Sequence, residues 1–170
     1  MNWLLKRKKK KINDKSSHIE IYHNIQFPLD DILAVLYPLF GAYYPYDEFI
    51  YMIYTTNHIF CAYDKIKNLC IGCALLNNAD ANGGLYVMLF GVLQTNQSQG
   101  TGTQLLESVI NWARQTGYKY IFLDVHVENF KAIGLYEKVG FLKSSFLPNY
   151  YIRTPKRPPH AIRMIVSLQQ

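Results

Sequence analysis

The chain has 170 residues, of which 49% are apolar and 18% charged; this composition sustains a packed core and excludes a disordered or collagen-like chain. The length is that of one domain large enough to bury a core. The net charge of +6 excludes less than it suggests: six cations (Lys6, Arg7, Lys8, Lys9, Lys10 and Lys11) stand together with no acid before Asp14, and without them basic and acidic residues balance at 12 each, so the body is not a basic nucleic-acid-binding surface.

Residues 1–16 are expected to be a basic, disordered tail, and residues 17–170 the folded domain. Such a tail suits a nuclear address read by an import receptor, or a tether to RNA, ribosomes or an acidic membrane. A plain solvated tail is the alternative. No apolar run is long enough to span a bilayer, and the apolar part of "MNWLLKRKKKK" is too short for a secretory signal. With three cysteines, Cys61, Cys70 and Cys73, an odd number, the expected setting is reducing and intracellular: cytoplasmic, or nuclear through the tail.

Alternation in "HIEIYHNI" predicts a first strand. "PLDDILAVLYPLF" predicts a helix opening at Pro28, with Asp30 and Asp31 in its first turn. Ile32, Leu33, Val35, Leu36, Leu39 and Phe40 then form one apolar face. "YPYDEFIYMIY" predicts a second short helix from Pro45. "HIFCAY", "LCIGCALL" and "LYVMLFGVL" read as three strands joined by the breaker-rich turns "DKIKN" and "NNADANGG". A helix from about Gly100 to Gln115, with Leu105, Leu106, Val109, Ile110 and Ala113 as its buried stripe, stops at Gly117. "YIFLDVHV" is the next strand. From Asn129 another helix spaces Phe130, Ile133, Tyr136 and Val139 and stops at Gly140. "FLKSSFL" and "AIRMIVSL" close the chain around the loop "PNYYIRTPKRPPH". The order predicts an α+β (mixed α/β) domain, a sheet flanked by helices.

In Cys70-x-x-Cys73 an odd offset along a strand puts the two thiols on opposite faces, and no second C-x-x-C stands elsewhere; no metal is expected. "PKRPPH" reads as a loop of stiff backbone.

"QSQGTGT", residues 97–103, lies between a strand and a helix. A P-loop needs Lys and Ser/Thr after its last glycine, where this chain has Thr103 and Gln104. A dinucleotide fingerprint needs a small residue where Leu105 stands. What remains is a helix N-terminus whose free N–H groups and dipole suit a pyrophosphate, with glycines that allow close approach. A glycine-rich turn with no ligand is the alternative.

Gln97-x-x-Gly100-x-Gly102, followed by Asn129-x-x-Ala132-x-x-Leu135-Tyr136-x-x-x-Gly140-Phe141, resembles the two signature motifs of the GNAT superfamily of acyl-CoA-dependent N-acetyltransferases. The element order is similar too, over roughly residues 18–168. The resemblance implies a central, mostly antiparallel seven-stranded sheet flanked by about four helices, with acetyl-CoA as co-substrate. It implies that Gln97, Ser98, Gln99, Gly100, Thr101, Gly102 and Thr103 cradle the coenzyme pyrophosphate. Phe90, Gly91 and Val92 would offer backbone to the acyl end. Asn129 and Ala132 would meet the pantetheine arm, Tyr136 would stand near the sulfur, and Lys138 joins the coenzyme set. One departure stands out: Gln97, Ser98, Gln99 and Thr101 are neutral where the family usually has a basic residue. Binding is then expected to rest on backbone donors and to depend weakly on salt.

"LYVMLFGVL", the "NYY" after the sixth strand and the proline–aromatic turn before the second helix resemble protein N-terminal α-acetyltransferases that act on methionine-starting chains. By that resemblance Tyr44, Pro45 and Tyr46 on one loop, and Tyr150 and Tyr151 on another, close over a peptide's first residues; ordinary exposed loop tyrosines are the alternative. Tyr86 takes the position of a catalytic tyrosine. Asp124 stands where a histidine is expected, and His126 two residues on shares its face, so Asp124 or His126 is the candidate base, with a satisfied sheet histidine as the alternative. An α-amine, with a pKa of about 8 against about 10.4 for lysine, needs less help from a base. Tyr136 would protonate the leaving thiolate. The expected function is acetyl transfer by direct attack onto the N-terminal α-amine of a peptide or protein. A lysine or small-amine acetyltransferase, or a non-catalytic acyl-CoA-binding module, stands as the alternative.

Overall fold

The structure, a computed structural model, describes residues 18–24 and 27–169. The cation run at 6–11, and with it the expected tail and its partners, lies outside the described residues. In chain order the elements are β1 (Ile19–Asn24), α1 (Leu29–Phe40), α2 (Tyr46–Thr55), β2 (His58–Asp64), β3 (Leu69–Asn78), β4 (Gly84–Val92), α3 (Thr101–Thr116), β5 (Tyr120–His126), α4 (Phe130–Lys138), β6 (Leu142–Leu147) and β7 (Ala161–Ser167). A short 3₁₀ turn, Gln94–Asn96, between β4 and α3 has no counterpart in the sequence reading. The expected fold class holds: among the described residues one seven-stranded sheet, ordered β1-β2-β3-β4-β5-β7-β6, is antiparallel except where β4 meets β5.

The apolar run of β3 serves two cores at once. Ala74 and Leu76 face Leu105, Leu106, Val109 and Ile133 of α3 and α4 on one side. Cys73 and Leu75 face Ile32, Val35 and Leu36 of α1 and Phe49 and Ile53 of α2 on the other. A central strand buried on both faces needs such a continuous run rather than alternation. Pro28 and Pro45 each precede the first helical residue with extended backbone, and Asp30, Asp31, Asp47 and Glu48 fill the first turns, where the helix dipole favours acids.

Two expectations fail. Phe130, placed on the apolar face of α4, is 74% exposed: as the first helical residue after the cap Asn129, it precedes the turns that pack on the sheet. The expected opposition of Cys70 and Cys73 fails as well. Ala62 pairs with Gly72 and Tyr63 with Cys70, which leaves Ile71 as an extra residue in β3. This β-bulge breaks the two-residue period and turns Cys70 to the same face as Cys73.

The sheet opens in one place. β4 and β5 pair only at Gly84–Tyr120, Leu85–Ile121 and Tyr86–Phe122, while β5 stays paired with β7 up to His126. Beyond Tyr86 the strands diverge, and Met88 sits as an unpaired residue in the β4 ladder to β3.

Candidate active site

The opening between β4 and β5 is the floor of a cleft of about 1110 Å³. Leu93 donates its N–H to Ile71 of β3. By strand alternation Gly91 also faces β3, so Phe90 and Val92 turn their backbone groups toward the opening. This narrows the expected Phe90–Val92 set: Gly91 lines the cleft, but its N–H belongs to the sheet.

At one end stands the glycine loop. Ser98 and Gly100 both have positive φ, 61° and 88°, and Gly100 caps α3 in the left-handed conformation with open space around its Cα. That backbone requires glycine for its dihedral, not for room. Gly102 is the reverse case: a Cβ there would lie 3.1 Å from Leu135 Cδ2, so its small size lets α3 approach α4. The first N–H groups of α3 have no intrahelical acceptor. Gln97 donates to Val92 O at 3.0 Å and accepts from Lys131 Nζ at 2.7 Å, so it braces the loop.

Lys131 supplies the cation that the loop itself lacks, and the sequence reading missed it, although it stands two residues after the motif's Asn129. The expected weak salt dependence is revised accordingly. Gln97, Ser98, Gly100, Gly102, Thr103, Asn129 and Ala132 line the cleft. Asn129 also caps α4 by accepting from Ala132 N at 3.2 Å. Three expected coenzyme residues do not line the cleft with their side chains. Gln99 is bonded to Thr95 O at 2.9 Å, Thr101 is buried at 1% exposure, and Lys138 lines a separate depression with Glu107 and Asn111, because the end of α4 is directed away from the opening.

Tyr136 closes the middle of the cleft. It is buried, edge-on to Phe90 at 6.1 Å, and burial raises its pKa. The far end is built of side chains. Tyr44, Pro45, Tyr86, Tyr150 and Tyr151 all line it as expected. Tyr46 does not: it is 52% exposed and packs edge-on against Tyr37, since the first turn of α2 carries it outward. Tyr43 and Glu48 take part in its place. The hydroxyls of Tyr86 and Tyr150 are 3.4 Å apart. Lys156, from the loop between β6 and β7, stands 4.9 Å over the ring of Tyr43 and 4.5 Å over that of Tyr151. It thereby joins the two tyrosine-bearing loops by cation–π contacts. Burial lowers its pKa. No signal in the sequence marks it, because its neighbours in "TPKRPP" show only a stiff loop.

Asp124 and His126 both reach the cleft wall but are occupied. The carboxylate of Asp124 accepts two hydrogen bonds from Arg163, at 2.8 and 2.9 Å. His126 Nε2 lies 2.7 Å from Pro158 O, and its Nδ1 accepts from Glu128 N at 3.2 Å; this network assigns the proton to Nε2. The Asp124 carboxylate is thus held by Arg163, and both ring nitrogens of His126 are engaged. Burial raises the pKa values of Tyr44, Tyr86, Tyr150 and Tyr151, so all four stay protonated at neutral pH.

The profile of the Acetyltransferase (GNAT) family matches residues 28–141, two thirds of the chain. This chain belongs to the GNAT family. It is 32% identical over 92 residues to the "Probable N-acetyltransferase san" of Drosophila melanogaster, covering 54% of this chain and 50% of that one. Against the "N-alpha-acetyltransferase 50" of Danio rerio it is 30% identical over 92 residues, covering 54% and 55%. The chain thus spans about half the length of the curated relatives it matches. Among solved structures, a Bacillus subtilis acetyltransferase in complex with CoA superposes with a TM-score of 0.74 at 16% identity, covering 89% of this chain and 99% of that one. Ard1 of Thermoplasma volcanium gives 0.70 at 19% identity, covering 88% and 99%. These two likenesses show the GNAT fold.

Coenzyme A, the ligand this family implies, fits the residues present. The left-handed Gly100, the N-terminus of α3 and Lys131 converge on one end of the cleft, where a diphosphate needs donors and positive potential. The open side of β4 offers Phe90 and Val92 along the next stretch, and Tyr136 lies beyond them. For a GNAT chain, Gly100, Thr103 and Lys131 would hold the diphosphate, and Asn129 and Ala132 would flank the arm.

Proposed function

We propose that this protein transfers acetyl from acetyl-CoA to the N-terminal α-amine of a peptide or protein. The observation that carries this reading is a single cleft with an anion-binding helix terminus at one end and, at the other, tyrosines from two loops clasped by Lys156. Such a rim suits a chain end, since Tyr44, Tyr150 and Tyr151 leave rigid apolar area with hydroxyls for backbone groups. A lysine within a continuous chain would have to pass both loops. The relatives named for α-amino acetylation point the same way, among them the "[Ribosomal protein bS18]-alanine N-acetyltransferase" of Escherichia coli, 39% identical over 61 residues, 36% of this chain and 41% of that one.

When bound, the coenzyme supplies an activated thioester. The chain's own groups do the rest. Backbone N–H groups at Phe90 and Val92 would face the carbonyl oxygen and stabilise negative charge there. Tyr136, kept protonated by burial, would donate to the sulfur, and the proton lost by the acylated amine would return to the Tyr136 oxygen through water, which closes the balance. Tyr86 and Tyr150 orient the amine. With Asp124 and His126 engaged and the tyrosines protonated, the amine enters as the free base. The rate should therefore follow the acceptor's own ionisation, with kcat/KM rising as pH approaches the α-amine pKa of about 8. A limb between pH 6 and 7 that persists across acceptors would instead reveal a protein base.

The deciding experiment is mass spectrometry after incubation with acetyl-CoA of peptides that begin Met-Leu, Met-Lys, Ser or Glu, each with an internal lysine. Acetyl on the α-amine of the Met-starting peptides is expected. Acetyl on the internal lysine, or on no peptide while a small amine is acetylated, overturns the reading.

A further inference from the structure

The apolar cluster under α1 and α2 contains three groups that acetyl transfer does not use. Cys61, Cys70 and Cys73 are free thiols and fully buried. Cys61 and Cys73 are register partners across β2 and β3, with their sulfurs 3.5 Å apart. Cys70 lies 3.6 Å from Cys73, and all three sulfurs are within 4.8 Å of one another. The bulge at Ile71 is what makes this a cluster. A regular strand would have sent Cys70 to the α3 face.

The dimensions are those of a metal site. A triangle with sides of 3.5 and 3.6 Å and a third of at most 4.8 Å has its centre about 2.4 Å or less from each corner, close to the ~2.3 Å of a zinc–thiolate bond. Three sulfur ligands select soft cations. Among the described residues no fourth His, Cys or carboxylate joins the group, so the ion would need no directional preference from its d electrons, as in a d¹⁰ cation. We propose that Cys61, Cys70 and Cys73 form a three-thiolate site for a soft d¹⁰ cation of the zinc class, pinning β2 to β3 beneath α1.

Asp31, whose carboxylate accepts from the Tyr63 hydroxyl at 2.5 Å, adds negative potential at Cys70, which favours a cation there. On binding, metal–sulfur bonds replace the S–H bonds and their protons pass to solvent. Nothing is oxidised or reduced.

The test uses the full chain, reduced and stripped with a chelator, with Cd²⁺ added both to the folded protein and during refolding from urea, because the trio is buried. A sulfur-to-cadmium charge-transfer band saturating at one equivalent is expected. Zn²⁺ should compete it away and raise the melting midpoint. Cys73→Ser should lose the band; since this central position is sensitive to substitution, Cys70→Ala at the strand's start serves as the second variant. It should fold, as judged by far-UV circular dichroism, and lose both the band and the zinc-dependent rise. Absence of the band at excess Cd²⁺ in both additions overturns the site and leaves three thiols packed as small apolar side chains. A zinc-dependent rise undiminished in Cys70→Ala overturns it too.

Discussion

The two ends of the cleft are built from different materials. The coenzyme end is made of backbone: left-handed Ser98 and Gly100, the N-terminus of α3 and the unpaired side of β4. The acceptor end is made of side chains brought from three places: Tyr43 and Tyr44 after α1, Tyr86 on β4, and Tyr150, Tyr151 and Lys156 between β6 and β7. Backbone geometry depends on a few residue types at fixed offsets. A side-chain rim depends on contacts between loops far apart in sequence, and it is free to change its acceptor while the coenzyme end stays as it is.

If the comparison holds, substitutions at the two ends should separate binding of coenzyme from use of acceptor. The largest effect belongs to the residue between them. Tyr136→Phe should lower kcat by about 10²-fold, the lower range for loss of a general acid, with coenzyme affinity unchanged by calorimetry. Unaltered turnover would remove Tyr136 from the mechanism. Gly100→Ala comes next. A Cβ finds open space there, so only the left-handed backbone resists it, at a cost of about 1–2 kcal/mol, or roughly tenfold in the coenzyme Kd. The KM of a peptide acceptor measured at saturating coenzyme should stay constant.

Lys156→Met probes the opposite end. Loss of its contacts with Tyr43 and Tyr151, about 1 kcal/mol, should raise the peptide KM roughly fivefold without touching coenzyme affinity. A shift in coenzyme Kd instead would mean that the ends are coupled. The smallest effect is expected for Lys131→Gln, an exposed cation bonded to Gln97. Coenzyme affinity should fall roughly twofold at low salt, in line with the modest worth of exposed charges. The salt dependence of binding should flatten with it, and equal slopes for the two proteins would return the site to backbone donors alone.

The glycine loop and the Asn129 cap were legible because each is a local requirement written in adjacent residues. Lys131 was within reach of the same reading, two positions into the motif. Tyr46 was misjudged because a loop's aromatic residues alternate direction as the helix begins, and sequence does not say which of Tyr43, Tyr44 and Tyr46 turns inward. Asp124 and His126 were correctly set on one face, but their partners, Arg163 and Pro158, arrive from β7 and the loop before it.

By itself, then, the sequence determined what depends on neighbouring residues: the order of the elements, the helix boundaries at Pro28, Pro45 and Asn129, and the two motifs that mark the family. Tertiary structure alone decided what depends on distant ones. The divergence of β4 from β5 opens the cleft, Lys156 ties two loops into one rim, and Arg163 holds the carboxylate of Asp124. The bulge at Ile71 is the sharpest instance. One extra residue in β3, invisible to a two-residue period, gathers three cysteines from two strands at a single point, because only pairing with β2 fixes which residue is left over.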